Sequence, residues 1–183
     1  MKRALIICIL LLFIFGLLWT EGYGLIERKG VGSTPEEALF NSWASGKVTE
    51  IIAKEKIDSK TKLLFYRNLQ ETYMVALIEK KWNNNWEFIQ QAGEAWIDEN
   101  QDIAPRSSYL GMKLPIYWGL IGNEDIVSVE VSDKYMEKSE ASILSINELA
   151  FFYIVAPEPQ KGWGGADLTA YDKYENIIAS EYF

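Results

Sequence analysis

The chain of 183 residues contains no histidine and one cysteine, Cys8. The absence of histidine excludes Ser–His–Asp triads, histidine-ligated metals and imidazole acid–base catalysis. Because Cys8 lies in an apolar N-terminal run, no thiol remains elsewhere for a disulfide, a cysteine zinc site or a nucleophile. Neither a P-loop nor a G-x-G-x-x-G fingerprint is present. The sequence therefore predicts no cofactor and no metal site, and a protein that is not an enzyme.

Positive charge is also scarce. After the N-terminal run, the chain contains 16 Lys and Arg residues and 26 Asp and Glu residues, which gives this part a formal charge of −10. A net charge of this size opposes phosphate backbones and anionic lipid headgroups. Nucleic acid is therefore excluded as a partner.

One long apolar run is present, over residues 4–19. A helix of this length spans about 24 Å, which is less than the roughly 30 Å of a bilayer core. Lys2 can snorkel to the headgroups on one side, and Trp19 and Tyr23 suit the interface on the other. These features predict an uncleaved, single-pass membrane anchor within residues 1–23.

Cleavage is the alternative fate of this segment. The length also approaches that of a signal peptide, and processing near Gly22 would then release a secreted protein. If the segment stays, Lys2 and Arg3 bias the N-terminus to the cytoplasm and the remaining chain to the extracytoplasmic side. The sequence thus predicts a cell-membrane protein that contacts the membrane through residues 4–19.

A short helix follows near residue 34. Thr34 is a suitable N-cap, Pro35 fits the first helical position, and Glu37 completes a capping box with Thr34. Leu39, Phe40 and Trp43 give an apolar face, and Gly46 is a suitable stop. Capping also accounts for Glu36 and Glu37 better than a catalytic carboxylate pair does.

Period-two patterns then predict strands over 48–56, 62–67, 72–82 and 86–91. In the third strand, Tyr73, Val75 and Leu77 share one face, and Met74, Ala76 and Ile78 share the other. Three asparagines at 83–85 predict a hairpin turn. Trp82 and Trp86 are expected to pair across that hairpin, with a sugar-stacking platform as the alternative.

Residues 98–115 are polar, contain two prolines and are predicted to form a connecting loop. Asp98, Asn100 and Asp102 resemble the start of a calcium loop, but glycine and glutamate are missing where that loop requires them. A solvated loop is the prediction. It separates a helix plus β-meander (24–97) from an antiparallel β region (116–183), although 24–183 can also form one domain.

The C-terminal region shows alternation at Val127, Val129 and Val131. A second alternating run covers 149–155, and a final hairpin is predicted around 172–176. The most loop-like segment is 156–167, and loops often carry function. Its candidate ligand or partner residues are Pro157, Glu158, Pro159 and Trp163.

Catalytic patterns are sparse. Ser59 and Lys62 have the spacing of a Ser–Lys nucleophile, but they fall in a predicted turn instead of at a helix start. A carboxylate-based hydrolase remains the alternative to a binding protein, because 26 acidic residues always supply a candidate pair.

The short basic N-terminus, the single apolar span, the stretch TPEEAL and the final LTAYDKYENII resemble uncharacterised small exported or membrane-anchored proteins of Gram-positive bacteria. The resemblance implies an extracytoplasmic α+β domain and carries no active site. We therefore expect an α+β fold with an N-terminal transmembrane helix, one short helix and a mainly antiparallel sheet. Its expected function is a binding or regulatory module, with another membrane or cell-envelope protein as a candidate partner.

Overall fold

The computed structural model describes residues 30–44, 47–111, 114–146, 149–156 and 165–183. The predicted anchor therefore lies outside the described residues. Within those ranges, no helix has the length and apolar character needed to cross a membrane.

The described part of the chain begins with a two-residue strand, β1 (Val31–Gly32), which is followed by the one helix of the described ranges, α1 (Pro35–Phe40). The predicted cap is confirmed, because the Thr34 hydroxyl accepts a hydrogen bond from the Glu37 N–H at 3.2 Å. The second half of the predicted capping box is correct only in part, because Ser33 supplies the main hydrogen bonds to Glu37 and the Thr34 backbone supplies a weaker one. The Glu37 carboxylate accepts from the Ser33 N–H and the Ser33 hydroxyl, each at 2.7 Å, since Ser33 offers two donors where Thr34 would offer one.

The predicted apolar face of the helix is correct in part. Leu39 is fully buried, whereas Phe40 and Trp43 stay about half exposed. The Trp43 ring nevertheless meets Phe88 edge-on, at 5.7 Å between centroids. The structure ends α1 at Phe40, and the predicted stop at Gly46 lies outside the described residues.

Sheet A contains five antiparallel strands in the order β1-β5-β4-β3-β2. Its further strands are β2 (Val48–Lys56), β3 (Thr61–Asn68), β4 (Tyr73–Lys80) and β5 (Trp86–Gln91). All four predicted strands are confirmed, as are the two faces of β4. Val75 and Leu77 pack toward the next sheet, while Met74 and Ile78 pack under α1.

The remaining strands form two four-stranded antiparallel sheets. Sheet B has the order β10-β11-β7-β6, and sheet C has the order β13-β12-β8-β9. Sheet B comprises β6 (Ile103–Leu110), β7 (Leu114–Ile121), β10 (Ser142–Ile146) and β11 (Leu149–Val155). Sheet C comprises β8 (Ser128–Asp133), β9 (Ser139–Glu140), β12 (Ala166–Tyr171) and β13 (Ile177–Tyr182).

The layers stack in the order α1, sheet A, sheet B, sheet C. Sheet B is the central layer, and β7 shows why. Trp118 and Leu120 pack against sheet A, and Tyr117 and Ile121 pack against sheet C. A strand that is apolar on both faces must be covered on both faces, which places the main core on either side of sheet B.

The prediction that 98–115 is a connecting loop is wrong, because β6 occupies Ile103–Leu110. This strand lies at the edge of sheet B and pairs with β7 alone. Proline lacks an N–H, but an edge strand tolerates it because one side has no ladder to complete. Pro105 therefore does not interrupt the strand.

The C-terminal predictions are mostly confirmed. Val129 and Val131 are fully buried in β8, whereas Val127 precedes the strand and is half exposed. The final hairpin turns at Asp172, whose carboxylate accepts from the N–H groups of Tyr174 and Asn176. Among the described residues, the fold is mostly antiparallel β-sheet with one short helix, as expected.

Candidate functional site

Two turns meet at one end of sheet A. The first joins β2 to β3 and the second joins β4 to β5. Because β3 and β4 are antiparallel neighbours, the start of β3 lies beside the end of β4. The backbone confirms this, since the Lys80 N–H donates to the Lys60 carbonyl at 2.6 Å.

The β2–β3 turn is organised by one carboxylate. Asp58 accepts from the backbone N–H groups of Lys60 at 2.6 Å and Thr61 at 2.8 Å, and from the Thr61 hydroxyl at 3.0 Å. The Lys60 N–H is the main reason that the pKa of Asp58 is lowered. This carboxylate is therefore committed to holding the turn, while the Lys60 side chain is exposed.

The β4–β5 turn confirms the predicted asparagine hairpin. The Lys81 N–H donates to the Asn85 carbonyl at 2.8 Å, and Asn84 takes the left-handed backbone at φ +64°. The predicted pairing of Trp82 with Trp86 is wrong. The register places Lys80 opposite Trp86, so Trp82 falls within the turn and is 96% exposed.

These turns bring lysines and tryptophans together. We call the resulting surface the lysine–tryptophan tip, which comprises Lys60, Lys62, Lys80, Lys81, Trp82 and Trp86. An open groove of about 420 Å³ lies at the tip, lined by Ser59, Lys60, Lys80, Lys81, Trp82 and Asn84.

Trp86 supports the tip from beneath. The Trp86 ring packs against the buried apolar side chains between α1 and sheet A, such as Leu39 and Phe88. Two ammonium groups lie over the ring. The Lys62 Nζ is 5.1 Å from the ring centroid and the Lys80 Nζ is 5.9 Å away. Such cation–π contacts contribute about 0.5–1 kcal/mol each at exposed sites. They hold both lysines at this end of the sheet, where Lys56 also lies opposite Lys62 in the register.

The tip retains positive charge. Glu79 pairs with Lys81 at 2.9 Å, and Asp58 is saturated by its own turn. Within the described part of the chain, Lys60, Lys62 and Lys80 form no ion pair. These ammonium groups are therefore available to an anion.

The predicted candidates Pro157, Glu158, Pro159 and Trp163 lie outside the described residues. Only the residues on either side of 157–164 are described. The Ala156 N–H donates to the Pro115 carbonyl at 3.0 Å at the end of β11, and Gly165 lies against the Tyr182 ring. The structure therefore leaves that prediction untested.

The other sequence candidates are separated in the fold. Ser59 lies in the exposed turn, while Lys62 reaches the Trp86 ring. Asp102 accepts from the Asn123 side-chain amide at 2.8 Å, which ties its loop to the end of β7. Among the residues that the structure describes, no three acidic side chains are grouped so as to hold a metal ion.

A second cavity, of about 230 Å³, lies where β7 and β10 end and β11 begins. Apolar side chains (Ile121, Ile126, Ile143 and Leu149) and polar ones (Asn123, Glu124 and Ser145) both line it. Glu124 is the one charged side chain among these lining residues, so no group of like charges comparable to the lysine–tryptophan tip converges there. The tip is therefore the stronger candidate site.

Sequence reasoning missed the tip, although a signal for it was present. In a meander of four strands, the first and third turns fall at the same end of the sheet. Both turns here carry lysines, in DSKTK and EKKW. Considering the two turns together would have predicted a basic patch.

No protein family, curated protein or solved structure matches this chain. What the protein does is therefore indicated by its own residues.

Proposed function

We propose that the protein is a membrane-anchored, extracytoplasmic binding module that recognises an anionic ligand through the lysine–tryptophan tip. Residues 4–19 provide the anchor in this proposal. The observation that carries it is that several ammonium groups without an ion pair and one almost fully exposed tryptophan, Trp82, lie together at one end of sheet A. The chain as a whole has a formal net charge of −8.

The chemistry of the tip supports binding. Lysine ammonium groups form charge-assisted hydrogen bonds to phosphate, sulfate or carboxylate oxygens. An exposed indole adds an apolar face that buries area on contact. In an acidic protein, the rest of the surface repels the same anion and so favours its approach at the tip.

The acidic side chains support binding over the hydrolase alternative. Hydrogen bonds from Ser33 lower the pKa of Glu37, a hydrogen bond from Lys138 lowers that of Glu130, and one from Asn176 lowers that of Asp172. A general acid requires a raised pKa in a cleft. These carboxylates instead stay ionised as acceptors in caps, turns and ion pairs.

The test is a titration of the full chain, incorporated in neutral phosphatidylcholine nanodiscs, with fluorescently labelled polyphosphate. The double variant Lys60→Gln and Lys80→Gln should weaken binding about tenfold, because two charge-assisted contacts are lost. Added salt should weaken binding by the wild type as well.

The matched control is Lys134→Gln with Lys173→Gln. Each of these lysines also lies about 5 Å from a tyrosine ring, but near the ends of sheet C strands. The control should bind polyphosphate like the wild type. Equal loss in both double variants, or no binding by the wild type, would contradict the proposal.

A further inference from the structure

We propose that the anion recognised by the tip is the headgroup layer of an anionic phospholipid bilayer, so that the β-domain docks tip-down on a membrane surface. This inference rests on the proposed function and adds the identity of the ligand. Trp82 would enter the interface, and Lys60, Lys80 and Lys81 would meet the phosphates around it.

The side-chain types favour a bilayer. Tryptophan rings prefer the headgroup level of membranes, and each lysine near an anionic surface strengthens attachment. Trp82 is the most exposed large apolar side chain described, at 96%. Here the ring stands at the apex of a turn, as membrane insertion requires.

The backbone places these groups at compatible depths. Trp82 lies in the turn itself, whereas Lys80 is the last residue of β4 and donates to the Lys60 carbonyl. The lysines therefore lie behind the indole along the direction of the strands. An indole at the interface would leave the ammonium groups level with the phosphates.

The length of the chain permits docking beside the anchor. The Phe88 N–H donates to the Gly30 carbonyl at 2.8 Å, so the described chain enters sheet A beside Phe88. Trp82 lies six residues away along the hairpin, which is at most about 20 Å of chain. The ten residues at 20–29 can span up to about 36 Å. The tip can therefore reach the bilayer that holds residues 4–19.

The net negative charge of the protein does not prevent this contact. Screening limits charge interactions to about 10 Å at ordinary ionic strength. Three acids lie beside the tip: Asp58, which its own turn saturates; Glu79, which pairs with Lys81; and Glu87, which lies opposite Glu79 in the register. The anionic headgroups repel the remaining, acidic surface of the domain. This repulsion orients the domain so that the tip faces the lipid.

The experiment places the full chain in nanodiscs whose acyl chains carry bromine, which quenches nearby tryptophans. One set contains phosphatidylcholine alone, and the other contains an equal mixture of phosphatidylcholine and phosphatidylglycerol. The difference in quenching between wild type and Trp82→Phe isolates Trp82. We expect the fluorescence of Trp82 to be quenched in the anionic mixture and to remain unquenched in the neutral lipid.

The lysines provide the second readout. Lys60→Gln with Lys80→Gln should lower the ratio of docked to undocked chain about 30-fold in the anionic mixture. The control Lys173→Gln with Tyr174→Phe alters another exposed lysine–aromatic turn, between β12 and β13, and should dock like the wild type.

The outcomes separate the two proposals. If the tip binds polyphosphate but Trp82 is not quenched in anionic nanodiscs, the bilayer is not the ligand and the proposed function stands. Equal quenching in neutral and anionic lipid would also overturn the inference, because the lysines would then have no role. If the tip variants change neither measurement, or the chain does not enter nanodiscs, both proposals fail.

Discussion

The Tyr153 hydroxyl donates to the Glu55 carboxylate at 3.1 Å and so joins β11 of sheet B to β2 of sheet A. The two residues are 98 positions apart in the chain. The Tyr153 ring also lies 5.6 Å from that of Phe65, between the same two sheets. This contact therefore reports directly on the packing of sheet A against sheet B.

Replacing Tyr153 by Phe keeps the ring and removes the hydroxyl. We expect the free energy of unfolding to fall by about 1.5 kcal/mol, because a hydrogen bond to a charged group is lost. Tyr174→Phe is the matched control, since that side chain is 73% exposed at the β12–β13 turn. Urea denaturation measures both, and equal values for the two variants would show that the hydrogen bond does not stabilise the packing.

Alkaline pH should destabilise the protein. Burial raises the pKa of Tyr66, Tyr117 and Tyr153. Unfolded tyrosines ionise near about pH 10, while these three keep their protons to higher pH in the folded state. The unfolded state then binds fewer protons, so the free energy of unfolding falls as the pH rises above about 10.

Urea titrations at increasing pH measure this slope. Tyr117→Phe should make the decline shallower, because it removes one of the three groups, whose hydroxyl donates to the Asp133 carboxylate. A stability that is constant through this pH range would contradict the burial assigned to these tyrosines.

Gly119 provides a test of the packing within sheet B, where β7 lies between β6 and β11. An added Cβ would lie 2.3 Å from the Ala104 carbonyl oxygen and 2.6 Å from the Phe152 ring. Gly119→Ala should therefore destabilise the fold by about 1–3 kcal/mol through overpacking. Gly93 has open space around its Cβ position, so Gly93→Ala should be neutral or raise stability by about 0.4–1 kcal/mol. Similar melting temperatures for the two variants would mean that the side chains of β6 and β11 pack around Gly119 more loosely than described.

The N-terminus of α1 gives a further stability prediction. Thr34→Ala removes the acceptor of the Glu37 N–H and should cost about 1 kcal/mol. Glu37→Gln should cost less, because the glutamine oxygen can still accept from the Ser33 N–H. Thermal denaturation of both variants gives the order, and a larger loss for Glu37→Gln would mean that its charge stabilises the helix more than the Thr34 cap does.

Local patterns predicted a large part of the fold. The cap at Thr34 and the strand at 86–91 depend on neighbouring residues and were confirmed. The edge strand β6 was missed because Pro105 and a polar composition obscure a strand that needs only one neighbour. The stacking of three sheets depends on contacts such as Tyr153 to Glu55, which no local pattern contains.

The candidate site was harder to predict for a similar reason. Trp82 and Trp86 were expected to pair, but the length of the turn decides the register, and Lys80 lies opposite Trp86. The lysines of two separate turns come together only once β3 and β4 are paired. The tip is thus a property of the sheet, which the sequence of either turn alone does not show.

The most direct test of the central claim follows the tryptophan indole N–H resonances of the full chain in neutral nanodiscs during titration with polyphosphate. The chain has seven tryptophans, and each gives its own signal. A tip-binding protein should show saturable shifts at Trp82 and Trp86, with Trp43, Trp96 and Trp118 unchanged. Shifts at Trp163 in place of Trp82 would instead locate the binding surface in the segment 156–167 and contradict the account.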